Sequence, residues 1–212
     1  MLSATVYIVD DDVRVCELVQ EILLAAGYRS IAYQSAESFL ENFHDDPDIH
    51  RCLIADLRMP GMCGLTLQEH LREQQVRMPI IFLTGFAEVE HAVRAMQLGA
   101  IDFIEKPFKS EQLLGGVRKA IAHDALACSR VARRKCVQTR LDKLTRRERE
   151  VLDFLVAGHD TKEIATRLNI NPKTVFVHRA RIMDKMAVEN LVELSRLISN
   201  TESQREPHDR LA

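Results

Sequence analysis

The sequence lacks an apolar run long enough to cross a membrane. Such a segment needs about 20 mostly apolar residues, and no run in the 212 residues approaches that length. The chain passes from Met1 directly into the β-branched stretch 5–9, without the basic region and cleavage site of an export signal. We therefore expect a cytoplasmic protein with no membrane partner.

Paired cysteines are also missing. The five cysteines are scattered, with no Cys-x-x-Cys pair, which disfavours both a disulfide framework and a zinc site. His44, His50 and His91 show no metal-ligand spacing and are expected on the surface. The sequence thus predicts reduced thiols that bind no metal.

Charge is unevenly distributed along the chain, behind a net value of −2. Residues 1–120 carry 18 acidic and 11 basic side chains, a net charge of −7. Residues 121–143 carry 6 basic and 2 acidic side chains (+4), and residues 144–212 carry 12 and 11 (+1). The acidic front half is unsuited to nucleic acid, whereas the connector and back half permit such binding. The length favours two modest domains.

The front half alternates β-branched runs with amphipathic stretches. Apolar residues recur with helical spacing from Val15 to Ala26 and stop at Gly27. Parallel strands need a crossover helix between them, so the pattern predicts an α/β fold, a doubly wound five-stranded parallel sheet with helices on both faces. The predicted strands are Thr5–Val9, Arg29–Tyr33, Cys52–Ala55, Ile80–Leu83 and Ile101–Ile104.

The back half is helical only. A long helix is predicted from Ser110 to about Arg140, its second part a basic, solvated connector. Thr145 to Glu148 has the pattern of a capping box, and Asn171 with Pro172 marks another helix start. Further helices are predicted at Thr161–Leu168, from Asn171 to about Met186, and at Asn190–Ile198. The predicted domains are residues 1–123, a helical linker 124–140, an all-α domain 141–200 and a disordered tail 201–212.

Reactive side chains follow the ends of the predicted strands. Asp10 and Asp11 follow the first strand, Asp56 the third, Thr84 the fourth and Lys106 the fifth. Because the carboxyl ends of parallel strands face one crevice, these residues are expected to converge. Three carboxylates together need a cation, and their hard oxygens suit Mg²⁺. A carboxylate is also a competent nucleophile for phosphorus when cationic groups neutralise the incoming phosphoryl group.

Four segments carry a resemblance to CheY-like receiver domains: Val9–Asp12, Ile54–Gly61, Leu83–Gly85 and Glu105–Phe108. The resemblance implies the strand order 2-1-3-4-5 and makes Asp56 the phosphoacceptor. It implies Asp11 and Asp56 as Mg²⁺ ligands, with Asp10 supporting through water and Arg58 contributing its backbone carbonyl.

The same resemblance assigns the phosphoryl oxygens to Thr84 and Lys106. Phe103 falls at the switch aromatic, where many relatives have Tyr, so a signal through it must be carried by packing. The Lys106–Pro107 bond resembles the family's cis peptide, which only proline makes inexpensive. Asp12, by contrast, is predicted to be the N-cap of the first helix.

The third helix of the back half has an apolar stripe and a mixed outward face. Three short helices with a tight break fit a helix-turn-helix, and Leu144–Leu152, Lys162–Ala165 and Lys173–Arg179 resemble the LuxR-type motif. The predicted inward residues are Val175, Ile182, Met183 and Met186. The predicted DNA contacts are Lys173, Thr174, Phe176, Val177, His178, Arg179, Arg181 and Lys185.

Two of those positions are unusual. Phe176 departs from the charged residue often found there, and Arg179 lies beside the apolar stripe and must extend its head outward.

The two halves together are similar to response regulators of the FixJ/NarL family. That similarity implies a transcription regulator rather than an enzyme. A sensor histidine kinase would supply a phosphoryl group to Asp56, which promotes a homodimer that binds promoter DNA, with RNA polymerase as a further candidate partner.

Two alternatives stay open at this point. Asp10-Asp11-Asp12-Val13 fits the Asp-x-Asp-x-Val motif of haloacid-dehalogenase-like phosphatases, although Asp56 would then have no role and no acidic pair follows a strand after Lys106. Alternatively, the front half is a dimerisation module that works without phosphorylation.

Overall fold

The computed structural model describes residues 4–44, 49–85 and 89–202, and it divides into two compact units, Met1–Cys128 and Ser129–Ala212. The elements of the first unit are β1 (Ala4–Val9), α1 (Val13–Ala25), β2 (Arg29–Tyr33), α2 (Ala36–Asn42), β3 (His50–Asp56), α3 (Gly64–Glu73), β4 (Ile80–Thr84), α4 (Val89–Gln97) and β5 (Asp102–Glu105). They are followed by α5 (Ser110–Asp142), α6 (Arg146–Val156), α7 (Thr161–Leu168), α8 (Pro172–Met186) and α9 (Leu191–Glu202).

The five strands form one parallel sheet in the order β2-β1-β3-β4-β5, which confirms the predicted sheet and its strand order. A helix lies between each strand and the next along the chain, as parallel pairing requires. Strand β3 lies in the middle, between β1 and β4, so its carboxyl end is flanked by the loops that follow two neighbours.

The sheet is covered on both faces. Leu53 of β3 belongs to a buried cluster with Phe39 of α2, whereas its neighbour Ile54 belongs to a second cluster with Val19 of α1 and Leu113 of α5. Adjacent strand residues point to opposite faces, so β3 contributes to both cores. Every residue of β4 is buried, as expected for a central strand with helices on each side.

Helix starts agree with the local sequence signals. Asp12 caps α1 by accepting a hydrogen bond from the Arg14 amide at 2.9 Å, and Asn171 caps α8 with Pro172 in the first turn. Thr145 and Glu148 form the predicted capping box of α6. In the described part of the chain, no helix is both long and apolar enough to cross a membrane.

The second unit is built around one apolar core. Its fully buried residues come from all four of its short helices and include Val151, Ile164, Val175, Ile182 and Leu194. Three members of the predicted inward stripe of α8, the residues 175, 182 and 186, are buried, and Met183 packs against the same core.

Two expectations about the segments flanking this unit need correction. The connector is exposed at most positions, but Val137 is buried in the second core and Asp124 is buried in the first unit. The tail was expected from residue 201 onward, yet α9 continues to Glu202. Residues 203–212 lie outside the described part of the chain.

Glu148 is a buried charge in this second unit, only 2% exposed. Its Oε2 accepts hydrogen bonds from the Lys185 ammonium at 2.6 Å and from the Thr145 amide at 2.8 Å. Burial disfavours the charged form, but these two donors lower the pKa of the carboxyl from 4.5 to about 2. The pair therefore ties the start of α6 to the end of α8.

Glu148→Gln is expected to destabilise the second unit by about 2 kcal/mol, because a buried charge-assisted hydrogen bond is lost. The folded pKa lies below the ordinary value, so this contribution is complete above about pH 4.5 and is lost as the pH falls toward 2. The free energy of unfolding of the second unit is measured by urea unfolding at several pH values, followed through the methyl NMR signals of Ile164 and Ile182. Glu150→Gln, at a more solvent-accessible pair with Arg147, is the control and should have a clearly smaller effect. Equal costs for both variants would contradict the account.

Candidate functional site

Four side chains with chemical function follow the carboxyl ends of four strands. Asp10 comes directly after β1, Asp56 and Thr84 are the last residues of β3 and β4, and Lys106 follows β5. Because β1, β3, β4 and β5 are parallel neighbours, these positions lie along one edge of the sheet.

Three carboxylates meet at this edge. Oxygen atoms of Asp10, Asp11 and Asp56 all lie within 4.8 Å of one another. Asp10 is 1% exposed, the Asp56 side chain is 13% exposed, and Asp11 is exposed. Asp10 is therefore the buried carboxylate of the crevice, Asp56 is partly accessible to solvent, and Asp11 lies at the exposed edge. Their oxygens are the donor type that a hard divalent cation takes.

Lys106 places a positive charge among these acids. Its Nζ lies 2.6 Å from Asp10 Oδ2 and 3.3 Å from Asp56 Oδ2. Burial alone would lower the pKa of the Lys106 ammonium, but the hydrogen bond and charge of Asp10, with Asp56, hold that pKa above its usual value. The lysine is thus kept charged at the position where negative charge is concentrated.

The electrostatics of Asp56 are set by three competing causes. Burial raises the pKa of its carboxyl, the charge of Lys106 opposes the rise, and the charge of Asp10 adds to it. The net shift is upward. The ionisation of Asp56 therefore depends on burial and on both charged neighbours, Lys106 and Asp10.

Backbone contacts orient the acids. The Leu57 amide donates to Asp56 Oδ1 at 2.7 Å, and the Asp12 amide donates to Asp10 Oδ1 at 3.0 Å. The Lys106 amide donates to the carbonyl of Thr84 at 2.7 Å, which joins the ends of β4 and β5. The Lys106–Pro107 bond is cis, as the resemblance implied.

Gly64 was not singled out from the sequence, yet it contacts the site directly. A Cβ atom there would lie 2.3 Å from the Asp56 carbonyl oxygen and 2.9 Å from the Phe82 ring. Only glycine therefore lets the start of α3 approach Asp56 this closely. One sequence signal could have identified it. Gly64 is a poor helix former at the start of a helix, just after the loop that follows Asp56.

The remaining predicted residues of this site surround the acids. Thr84 is 1% exposed. Phe103 is half-buried and packs against the core on the α2–α4 face, and it pairs in register with Phe82. Arg58 lies two residues after Asp56 with an exposed side chain. The roles predicted for these three residues stay predictions.

Helix α8 presents an exposed, chemically mixed face. Phe176 and Val177 are 67% and 48% exposed, although large apolar side chains are normally covered. Lys173, Thr174 and Arg181 are also exposed, so this face combines apolar contact, a hydroxyl and two cations. Those are the groups that meet thymine methyls, base edges and phosphates in the major groove.

Three of the predicted DNA contacts are less accessible. His178 and Arg179 are half-buried, and His178 Nδ1 is buried with no hydrogen-bond partner among the described residues. The contacts of Lys185 do not support its predicted role, because its ammonium binds the Glu148 carboxylate and the Lys143 carbonyl. Helical spacing placed Lys185 at the edge of the outward face of α8, but it could not reveal the ion pair with Glu148.

Two protein families match the chain. Residues 6–118 match the response regulator receiver domain, and residues 142–198 match the bacterial regulatory proteins of the luxR family.

Individual relatives match over nearly the full length. The transcriptional regulatory protein FixJ of Rhizobium meliloti (strain 1021) is 40% identical over 198 residues, which cover 93% of this chain and 96% of FixJ. The response regulator protein TodT of Pseudomonas putida is 37% identical over 199 residues, covering 92% of this chain and 85% of TodT. Among solved structures, the response regulator StyR is 37% identical with a TM-score of 0.83, covering 93% of this chain and 98% of StyR.

The two charged neighbours of Asp56, when removed one at a time, should shift the pKa of its carboxyl in opposite directions. Lys106→Met should raise the pKa of the Asp56 carboxyl further, because the charge that opposes the rise is gone. Asp10→Asn should lower it, because a repelling carboxylate is gone and Lys106 is released toward Asp56. NMR titration of the Asp56 carboxyl carbon in metal-free buffer measures both, with Asp160 as an internal control. Shifts of the same sign would contradict the assigned causes.

Proposed function

As a member of the response-regulator family, with a receiver domain and a LuxR-type DNA-binding domain, the chain is a two-component transcription regulator, and we propose that a phosphoryl group on Asp56 switches its binding to promoter DNA. The observation that carries the proposal is the gathering of Asp10, Asp11, Asp56 and Lys106 at one sheet edge. The family consists of transcription regulators and is not a class of enzymes. The phosphatase alternative is therefore set aside.

The proposed domain bounds follow the sequence with two adjustments. We propose residues 1–123 as the receiver and 141–200 as the DNA-binding domain, joined by 124–140. The burial of Asp124 supports counting the start of that linker with the receiver, and the burial of Val137 supports counting its later part with the second core.

The acidic crevice fits Mg²⁺. Its three carboxylates supply hard oxygen donors within 4.8 Å of one another, and Asp11 at the rim is open to solvent. We propose Asp11 and Asp56 as direct ligands, Asp10 as a supporting group and the Arg58 carbonyl as a further ligand. The ion, when bound, neutralises negative charge of the carboxylates and of the incoming phosphoryl group.

The proposed reaction is a phosphoryl transfer from the phosphohistidine of a sensor kinase. A carboxylate oxygen of Asp56 forms the new bond to phosphorus as the bond from phosphorus to the donor nitrogen breaks, and the product is an acyl phosphate. Lys106 already lies 3.3 Å from Asp56 Oδ2, so it can follow the phosphoryl oxygens without a large movement. The Thr84 hydroxyl is the other group we assign to those oxygens.

The signal is proposed to leave the site through Thr84 and Phe103. These residues belong to the neighbouring strands β4 and β5, and a shift of either alters the surface of α4 and β5. Val93 and Met96 of α4 are 48% and 50% exposed, which supports this surface as the place where two phosphorylated copies pair. RNA polymerase is a candidate contact of the DNA-bound dimer.

Dimerisation matters because one copy is a weak DNA ligand by charge. Residues 144–212 carry a net charge of +1, so few phosphates are neutralised per copy. When two copies are joined, the second contact becomes intramolecular and the apparent affinity rises. Paired recognition helices then read two half-sites.

Phosphorylation is expected to double the mass in solution and raise DNA affinity. With acetyl phosphate and Mg²⁺, the wild type should sediment as a dimer and bind a selected duplex with two half-sites at least about a hundredfold more tightly. Asp56→Asn should do neither. Asp12→Asn is the matched control, because asparagine caps a helix as well as aspartate. Unchanged mass and affinity in the wild type would refute the switch, and dimerisation of both forms would favour the phosphorylation-independent module.

Phe176 is expected to contribute base readout rather than charge. Phe176→Ala should weaken binding to a selected duplex about tenfold and reduce discrimination between duplexes, with an unchanged salt slope, because an apolar contact with a thymine methyl is lost. Lys173→Ala should instead reduce the salt slope by about one. Leu24→Ala, which truncates an apolar residue of α1 at least as exposed as Phe176, should change neither the affinity nor the salt slope. Fluorescence anisotropy at several salt concentrations distinguishes these outcomes, and an unaltered preference in Phe176→Ala would contradict the assignment.

A further inference from the structure

A second cluster of metal-ligating side chains lies at the amino end of β3. His50, Asp124 and Cys128 place a nitrogen, an oxygen and a sulfur atom within 4.8 Å of one another. His50 is the first residue of β3 and Asp56 the last, so the cluster is about 20 Å from the acidic crevice along the strand. None of its three residues takes part in the proposed switch.

The cluster is organised around one buried carboxylate oxygen. Asp124 Oδ2 lies 3.1 Å from His50 Nδ1, 3.2 Å from the Arg51 amide nitrogen and 3.7 Å from Cys128 Sγ. Asp124 is 3% exposed, whereas the His50 side chain is 19% exposed and Cys128 is half-buried. A small ion can therefore reach the cluster from the histidine and cysteine side.

The spacing of the donor atoms suits a tetrahedral centre. Zinc bonds to oxygen, nitrogen and sulfur of about 2.1, 2.05 and 2.3 Å, at tetrahedral angles, give N···O and S···O separations of about 3.4 and 3.6 Å. The observed separations of 3.1 and 3.7 Å differ from these by about 0.3 Å or less. The third separation, from His50 Nδ1 to Cys128 Sγ, is within 4.8 Å, so the three donors are close enough to share one ion after side-chain rotation.

The donor set also selects the kind of ion. Imidazole nitrogen, thiolate sulfur and a single carboxylate suit Zn²⁺, whereas Mg²⁺ prefers the oxygen-only crevice at the other end of β3. The charge of Arg51 is directed away from the cluster, because its guanidinium lies over the Phe43 ring, 5.7 Å from its centroid. Phe43 packs on the α2–α4 face, while Asp124 belongs to α5 on the opposite face of the sheet.

We propose that His50, Asp124 and Cys128 bind one Zn²⁺ ion, with solvent in the fourth position. On binding, the Cys128 thiol loses its proton to solvent and the thiolate coordinates the metal. A neutral His50, whose ring hydrogen lies on Nδ1 when that atom donates to Asp124, moves this hydrogen to Nε2 by exchange with solvent and coordinates through Nδ1, so no oxidation or reduction occurs. The bound ion fastens the turn of α5 that contains Asp124 and Cys128 to the start of the central strand.

Cobalt is the spectroscopic probe for this site. The full-length protein, in excess Mg²⁺, is titrated with Co²⁺, and one equivalent should give the visible bands of four-coordinate cobalt and a thiolate-to-metal band in the near ultraviolet. Addition of Zn²⁺ should remove both. Cys128→Ser should abolish the thiolate band, and His50→Gln should weaken binding at least about tenfold, since loss of a partner outside the ligand shell already costs about 10–100-fold.

Matched controls separate this site from other thiols, histidines and carboxylates. Cys136→Ser alters an exposed cysteine, His70→Gln alters another half-buried histidine, and Asp11→Asn alters the acidic crevice. All three should leave the cobalt spectrum unchanged. A thiolate band that survives Cys128→Ser, or is lost equally in Cys136→Ser, would overturn the proposal.

Cysteine alkylation tests the proposed site in the wild-type protein. Zn²⁺ should abolish alkylation of Cys128 by iodoacetamide while Cys136 reacts as before, with mass spectrometry locating the modified residue. One proton should be released for each zinc bound. Equal alkylation of Cys128 with and without Zn²⁺ would mean that the three residues only anchor α5 by hydrogen bonds, and the metal site would be rejected.

Discussion

The ammonium of Lys106 lies between carboxylates that follow two different strands, 2.6 Å from Asp10 and 3.3 Å from Asp56. Two negative charges confined to a largely buried crevice repel each other, and a cation placed between them offsets that repulsion. The strand order brings the lysine to this place, because β5, β4, β3 and β1 are successive neighbours. The charge balance on which the proposed phosphoryl transfer depends is therefore a property of the fold.

A buried ion pair has a different consequence in the second unit. Lys185 is bound by Glu148 and by the Lys143 carbonyl, so its charge is engaged within the protein at the end of α8. The exposed face of the same helix is left with Phe176, Val177 and only a few cations. In the proposed switch, the weak attraction of one copy to phosphates is what would make DNA binding depend on dimerisation.

Local patterns predicted most of the elements and the residues of the acidic crevice, because helix caps, apolar periodicity and strand ends are encoded within a few residues. Strand β3 begins two residues earlier than predicted, since His50 and Arg51 pair with Ala4 and Thr5 of β1, and a single strand does not reveal its partner. Long-range contacts were missed for the same reason. Glu148 and Lys185 are 37 residues apart, and His50 and Asp124 are 74 apart.

The most direct test of the central claim is to locate the phosphoryl group. After incubation of the full chain with acetyl phosphate and Mg²⁺, peptide mass spectrometry should find one acid-stable, base-labile acyl phosphate, on the peptide that contains Asp56. Lys106→Met should reduce that labelling strongly, because the charge between the carboxylates is missing. Labelling at Asp10 or Asp11, or none at all in the wild type, would contradict the account.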